Sequence, residues 1–263
     1  MTLGLRRIGG ALAALTLAAL LAGCGVTTRT PAAAPAPRAH HALVAAQITD
    51  PPMSPEGVAV PAETLVATTD GDIPGYASPD STAPDIIVPA SWYGYQSTLP
   101  VIDTSPGWLE VRLAQRPNGS TTWVQQDEVT LSATPYAIVI DLATMHLSVF
   151  DAGEQILDFP AGIGTPDDPT PTGQYFMTMQ VPPPDAGYGP FVLVTSDHSD
   201  TITDWEESGD AIIAIHGPIT SYDDSLIGTT GAAISHGCVR LHDADLGQLS
   251  MIPAGTPIDV ISS

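Results

Sequence analysis

The stretch Ile234-Ser235-His236-Gly237-Cys238-Val239-Arg240-Leu241, together with the upstream Ile215-His216-Gly217, decides how the rest of the chain reads. Cys238 is one of only two cysteines. A thiol attacks well only as thiolate, so a working cysteine needs a base nearby and backbone N–H donors for the oxyanion it creates. His216 closes the apolar run Ala211-Ile212-Ile213-Ala214-Ile215, which has the pattern of a strand buried on both faces. His236 stands two residues before the thiol. Gly237 permits a tight turn in which backbone N–H groups can face a bound carbonyl.

Ser235-His236-Gly237-Cys238-Val239-Arg240-Leu241, preceded by His216-Gly217, resembles the signature of the L,D-transpeptidase (YkuD-type) family of peptidoglycan cross-linking enzymes, over roughly Tyr136 to the C-terminus. The resemblance implies Cys238 as nucleophile and His216 as a base that takes the thiol proton and holds an imidazolium beside the thiolate. It implies the Gly217 backbone carbonyl as third member, with no Asp required. Gly237 and Cys238 would supply oxyanion N–H groups, and Ser235 and His236 would shape the pocket. Arg240 would either brace the loop or meet a substrate carboxylate through a forked pair of hydrogen bonds.

That family cross-links stem peptides. The implied reaction is attack on the carbonyl after the third residue of a tetrapeptide stem, loss of D-alanine, and transfer of the acyl group to a side-chain amine, giving a 3→3 cross-link. Water as acceptor would make the protein an L,D-carboxypeptidase. The resemblance also implies acylation of Cys238 by carbapenem-type β-lactams, and no cofactor. A reading from another class is a non-catalytic wall-binding lipoprotein, against which the intact Cys238 and His216 count. A zinc site from His216, His236, Cys238 and His242 lacks the second cysteine or Cys-x-x-Cys pair that would support it.

Composition sets the frame. A chain of 263 residues accommodates about two domains at ~100–150 residues each. Its 26 prolines and 24 glycines are well spread, pointing to a loop-rich β protein rather than a helical bundle. Seven basic residues, all Arg, against 29 acidic ones give a formal charge of −22 and argue against nucleic acid or an anionic membrane surface as partner. The acidic excess suits a solvated surface on an exported protein, or a preference for substrates with free ammonium groups.

Arg6 and Arg7 precede the apolar stretch from Ile8 to Leu21, the layout of a signal peptide. Leu21-Ala22-Gly23-Cys24 looks like a bacterial lipobox, with Cys24 as the lipidated residue; an ordinary secretory signal or uncleaved anchor is the alternative. Residues 1–24 are then a lipoprotein signal peptide. The chain would be exported and lipid-anchored to the outer face of the cell membrane, acting in the wall, with Cys238 left without a disulfide partner. Residues 25–63, containing Pro31-Ala32-Ala33-Ala34-Pro35-Ala36-Pro37, read as an extended tether.

From residue 64 to 132 the pattern changes to short strands cut by Ser105-Pro106-Gly107 and Arg116-Pro117-Asn118-Gly119. In Trp108–Leu113 the alternation puts Leu109, Val111 and Leu113 on one face. Gly107-Trp108-Leu109-Glu110-Val111 and the following turn are similar to bacterial Src-homology-3-like domains, which implies a small antiparallel barrel. Trp92, Tyr93 and Tyr95 are either a ligand face or core, with core the preferred reading.

The catalytic domain, residues 136–263, opens with a hairpin in which Leu147 and Val149 face the core while His146 and Ser148 face solvent. Thr170-Pro171-Thr172-Gly173 resembles the family's turn into the strand beneath the site. Residues 182–190 and 196–210 are long irregular stretches of the kind that cover a groove, with Tyr188 and Trp205 as candidate lid aromatics. Residues 217–234 read as a loop, and a short helix capped by Asp243 follows Arg240, with Leu246 and Leu249 sharing a face. The expected architecture is mainly β: a small Src-homology-3-like β-barrel, then a YkuD-type β-sandwich.

Overall fold

The period-two pattern of the N-terminal half is expressed as a sheet with one dry face. In the computed structural model, which describes residues 60–262, its strands are β1 (Thr64–Thr68), β2 (Thr98–Ser105), β3 (Trp108–Arg112), β4 (Thr121–Gln125) and β5 (Thr130–Thr134). The Cys24 motif and the tether through residue 59 lie outside the described residues. The sheet is antiparallel in the order β4-β3-β2-β1-β5. Leu109, Val111 and Leu113 are buried, as the alternation predicts, and pack with Leu65, Leu99 and Val124.

Two separate two-stranded hairpins accompany this sheet, Ile73–Gly75 with Ile86–Val88 and Ser91–Trp92 with Tyr95–Gln96. The bridge between Tyr76 and Trp123 ties the first of them to β4. The aromatic cluster divides: Trp92 packs partly against the core, whereas Tyr93 and Tyr95 are exposed. The preferred core reading therefore fails for both tyrosines, because the turn between Trp92 and Tyr95 points them away from the sheet.

Only Pro135 separates β5 from the second sheet. Its elements are β6 (Tyr136–Asp141), β7 (His146–Asp151), β8 (Glu154–Pro160), β9 (Ile163–Gly164), β10 (Gly173–Val181), β11 (Val192–His198), β12 (Ile212–His216), α1 (Ser221–Leu226), β13 (Ala233–Ser235), β14 (Val239–Arg240), α2 (Asp243–Gln248) and β15 (Pro257–Ile261). Eight of these strands form one sheet in the order β8-β7-β6-β15-β10-β11-β12-β14, and β9 pairs with β13 beside it. The protein is mainly β. Leu147 and Val149 are fully buried against Ile138, Ile140, Leu193 and Ile215, while His146 and Ser148 meet Asp158 at the surface.

Helices are few and short. Thr220 caps α1 by accepting from the Asp223 N–H at 3.1 Å, in the stretch expected to be loop. In α2 the cap position falls on His242 and Asp243 is the first helical residue, so the Asp243 cap expected from sequence does not form. Leu246 and Leu249 nonetheless bury fully against the sheet.

The two sheets belong to one compact unit. Phe176 of β10 is buried inside the N-terminal core, a burial worth about 1.5–3 kcal/mol. Arg112 of β3 donates to the Gln174 side chain at 2.9 Å.

Candidate active site

Parallel pairing of β12 with β14 brings the two halves of the motif together. Ile215 lies opposite Val239 and His216 opposite Arg240, so Cys238 enters immediately ahead of the pairing. The hairpin-like return that carries it depends on Gly237, whose φ of +113° belongs to the left-handed side of the map. A Cβ there would also stand 2.6 Å from Ile213 Cδ1. Any other residue would be strained at this φ and would have to displace the Ile213 side chain.

Cys238 is a free, half-buried thiol. His216 is buried, and its Nδ1 lies 2.7 Å from the Gly217 carbonyl oxygen. A carbonyl only accepts, so Nδ1 carries the proton and Nε2 keeps a lone pair. Burial is the largest influence on this imidazole and lowers its pKa to about 4, against the opposing Gly217 hydrogen bond and with help from Arg240. Burial likewise pushes the Cys238 thiol up, although the Ala214 backbone and Arg240 pull it down. Burial thus disfavours the charged form of each partner, and both shifts favour a neutral thiol beside a neutral imidazole over the expected imidazolium and thiolate.

Cys238 and His216 line one cavity of about 510 Å³. Both lid candidates reach it: Tyr188 stacks at 4.7 Å on His216, and Trp205 at 5.2 Å on the exposed His236. The turn bearing Tyr188 is fixed by backbone bonds from Gly217 to Tyr188 O and from Ile219 to Gly187 O, both 2.8 Å. A Cβ on Gly217 would lie 2.6 Å from Gly189 N, so this approach requires glycine.

With this geometry in view, comparison with known proteins is specific. Residues 135–260 match the family model described as YkuD, L,D-transpeptidase catalytic domain. Residues 135–260 form a YkuD-type L,D-transpeptidase catalytic domain. A putative L,D-transpeptidase YkuD of Bacillus licheniformis is 26% identical over 127 residues, covering 48% of this chain and 66% of that relative. An L,D-transpeptidase structure from Mycobacterium smegmatis is 18% identical with a TM-score of 0.39, over 64% of this chain and 92% of that one. An Enterococcus faecium L,D-transpeptidase mutant is 22% identical with a TM-score of 0.36, over 48% and 49% of the two chains.

Within the YkuD domain several side chains take places different from those expected. The Gly237 N–H donates to Ser235 Oγ at 3.1 Å, so it is occupied rather than aimed at a bound carbonyl. Ser235 in turn donates to the Cys238 carbonyl at 2.6 Å, pinning the loop from beneath. Arg240 Nη1 pairs with Asp223 Oδ2 at 3.0 Å and reaches the Pro218 carbonyl at 3.4 Å. Of its two readings, the geometry favours the brace. His242 meets Asp224 at 2.6 Å, outside the cavity lining, and among the described residues no group of three or more His, Cys, Asp or Glu is arranged to hold a metal.

One contributor to the YkuD site, Asp197, escaped the sequence reading, and two others, Thr170 and Tyr93, were read there only as part of a turn and as an aromatic that is either ligand face or core. Thr170 donates to the Gly237 carbonyl at 2.7 Å and accepts from Gly164 N at 3.0 Å; its Thr-Pro turn was the available signal. Asp197 is buried near the thiol, where burial raises its pKa to about 8 despite hydrogen bonds from Tyr175 and Asn118. Tyr93 of the N-terminal half lines the cavity as well. No local pattern announces Asp197, whereas Tyr93 belongs to the aromatic cluster for which a ligand face was the alternative reading.

Proposed function

We propose that this protein is an L,D-transpeptidase that makes 3→3 cross-links between peptidoglycan stems through a Cys238 acyl-enzyme. The single observation that carries the reading is His216, held with Nδ1–H on the Gly217 carbonyl and Nε2 free, in the cavity that also holds Cys238. As Cys238 Sγ attacks the carbonyl after the third stem residue, its proton passes to His216 Nε2. The oxyanion is met by backbone N–H; with Gly237 engaged by Ser235, the Cys238 N–H is the remaining candidate of the two. Collapse breaks the C–N bond, D-alanine leaves with the proton from His216, and a thioester remains. A neighbouring amine then attacks, gives its proton to His216, and releases the thiol.

Starting from neutral partners, proton transfer accompanies attack rather than preceding it. A buried neutral pair also protects the thiol from adventitious oxidation, because oxidation follows thiolate character. Carbapenem-type β-lactams would acylate the same sulfur by ring opening. Export and lipidation at Cys24 would hold the catalytic domain at the outer membrane face, within reach of the wall.

Intact-mass measurement of the purified chain with a carbapenem and, separately, with disaccharide tetrapeptides tests the reading. An adduct of the unfragmented β-lactam mass and a dimeric muropeptide are expected, and Cys238→Ala should give neither. Release of D-alanine with only tripeptide formed would make the enzyme a carboxypeptidase; no adduct and no turnover would leave a wall-binding protein.

A further inference from the structure

The segment from Ser199 to Asp210 supplies Ser199, Ile202, Trp205, Ser208 and Asp210 to the cavity wall, yet little within the segment fixes its position. Its own bonds are local turns, such as Trp205 N to Asp210 O and Ser208 N to Trp205 O, both 3.0 Å. Glu206 and Glu207 both adopt positive φ, so the tip has no regular ladder. Its neck is closed by Ser199 N to Ala211 O at 2.8 Å.

Apart from a bond from Thr201 Oγ1 to Asp168 Oδ1 at 3.0 Å and the packing of Trp205 on His236, what holds it comes from the other half of the molecule. In the turn between β3 and β4, Arg116 donates from Nε to Asp210 Oδ1 at 2.9 Å, from Nη1 to the Ser199 carbonyl at 2.9 Å, and from Nη2 to the Ile202 carbonyl at 3.0 Å. A rigid planar fork spreads its donors over three nitrogens and so spans acceptors that the three donors of a single ammonium nitrogen cannot reach together. Asn118 adds a second grip: its Nδ2 donates to the His198 carbonyl at 2.8 Å and to Asp197 Oδ1 at 3.1 Å, and its Oδ1 accepts from His198 N at 2.9 Å. Asp210 also lies 2.8 Å from His198 Nδ1. Although partial burial opposes ionisation of Asp210, the bonds from Arg116 and His198 outweigh it and hold its pKa below the usual carboxylate value.

We propose that Arg116 and Asn118 are positioning residues for the YkuD site: the N-terminal β domain grips the 199–210 segment at both ends and thereby sets where Trp205 and Ile202 meet the substrate. The isolated catalytic domain would keep its thiol and its base but not this wall. The substrate part of the inference rests on the transpeptidase reading; the mechanical part does not. An exposed single ion pair would contribute little, but here three donors converge on two carbonyls and a carboxylate, which imposes geometry as well as attraction.

The test uses the full chain with Arg116→Gln, Arg116→Lys and Asn118→Ala. Amide hydrogen exchange should quicken by about tenfold or more across residues 200–209 and stay unchanged in β6 and β7, as expected for a locally opened segment. The KM for the donor stem should rise about fivefold or more with kcat within about twofold, since uniform binding is what a displaced wall loses. Alkylation of Cys238 by iodoacetamide should be unaffected, which also certifies that the site has kept its fold; Lys, whose donors share one nitrogen and cannot span all three acceptors, should not restore the wild-type KM. Unchanged exchange in every folded variant overturns the proposal, as does faster exchange with KM unaltered. If the wild type turns over no stem, the transpeptidase reading fails while the exchange experiment still decides the grip.

Discussion

Thr170 donates its hydroxyl to the Gly237 carbonyl across 2.7 Å, joining the Thr-Pro turn before β10 to the loop that presents Cys238. The same oxygen accepts from Gly164 N at 3.0 Å, and the side chain is buried. One hydroxyl therefore satisfies two backbone groups far from water, and it ties the Cys238 loop to the turn before β10. Thr170→Val keeps the shape and removes both bonds. Stranding buried polar groups costs about 1–3 kcal/mol each, so the variant should melt earlier and acylate more slowly. Carbapenem acylation at the wild-type rate in a destabilised variant would show that Thr170 serves the fold alone.

The neutral resting pair makes a prediction about protonation. Burial raises the Cys238 pKa and lowers that of His216 to about 4, so at any pH from about 5 to 7 the thiol keeps its proton and the imidazole lacks a second one. The thiolate absorbance difference between wild type and Cys238→Ala should be absent at mildly acidic pH and emerge only above the ordinary thiol range. A thiolate plateau reaching down to about pH 5 would signal the ion pair instead.

The two histidines separate by the same chemistry. If His216 is the base proposed above, His216→Gln removes the Nε2 lone pair in the cavity shared with Cys238 and should cut acylation by about 10²-fold or more, within the usual contribution of a general base. His236 is exposed and stacked on Trp205, so His236→Ala should alter stem binding and leave alkylation of the thiol unchanged. The reverse pattern would exchange their roles.

Where a pattern is written in neighbouring residues, sequence was enough to place the element that carries it. The continuous apolar run 211–215 becomes β12 and delivers His216, and the alternation around Leu147 and Val149 becomes one buried face. Helix α1 was invisible because its six residues bury no side chain and carry no apolar stripe; only Thr220 and Asp223, three apart, hinted at a cap. The bond from Arg116 to Asp210 spans 94 positions, and no periodicity reaches that far. Nor does residue order reveal that the Gly237 N–H is engaged by Ser235, since that depends on the rotation of one hydroxyl.

Tyr93 offers a case in which stability and function should part. It and Gly94 are the two central residues of the hairpin between Trp92 and Tyr95, with φ of 47° and 84°. Both positive values define a turn that favours Asn-Gly, and a bulky aromatic there is strained. The ring is 70% exposed, so no core contact offsets the strain, yet it lines the cavity shared by Cys238 and His216. Tyr93→Asn should raise the melting temperature, by the equivalent of about 0.5–1 kcal/mol, while raising KM for the stem. A variant that gains stability with KM unchanged would deny Tyr93 any part in binding.

Asp197 should leave its mark on stability as a function of pH. Its carboxyl is buried, and its pKa is raised to about 8, first by burial and then by Asp200, against hydrogen bonds from Tyr175, Asn118 and the His198 backbone. In the unfolded chain it would ionise near the usual value of about 3.9. A group whose folded pKa is raised binds its proton more tightly when folded, so its contribution to stability is full below about pH 4 and declines as pH rises toward about 8. His216 runs the other way: its folded pKa near 4 lies below the free imidazole value of about 6.5, so its contribution is full above that value and is lost as pH falls through the window between them. Asp197→Asn keeps an oxygen for Asn118 to donate to but cannot ionise. Its melting temperature should therefore exceed that of the wild type at pH 8 and the difference should shrink toward pH 4, in melts across that range. A constant offset between the two proteins would mean that Asp197 does not change its charge on folding.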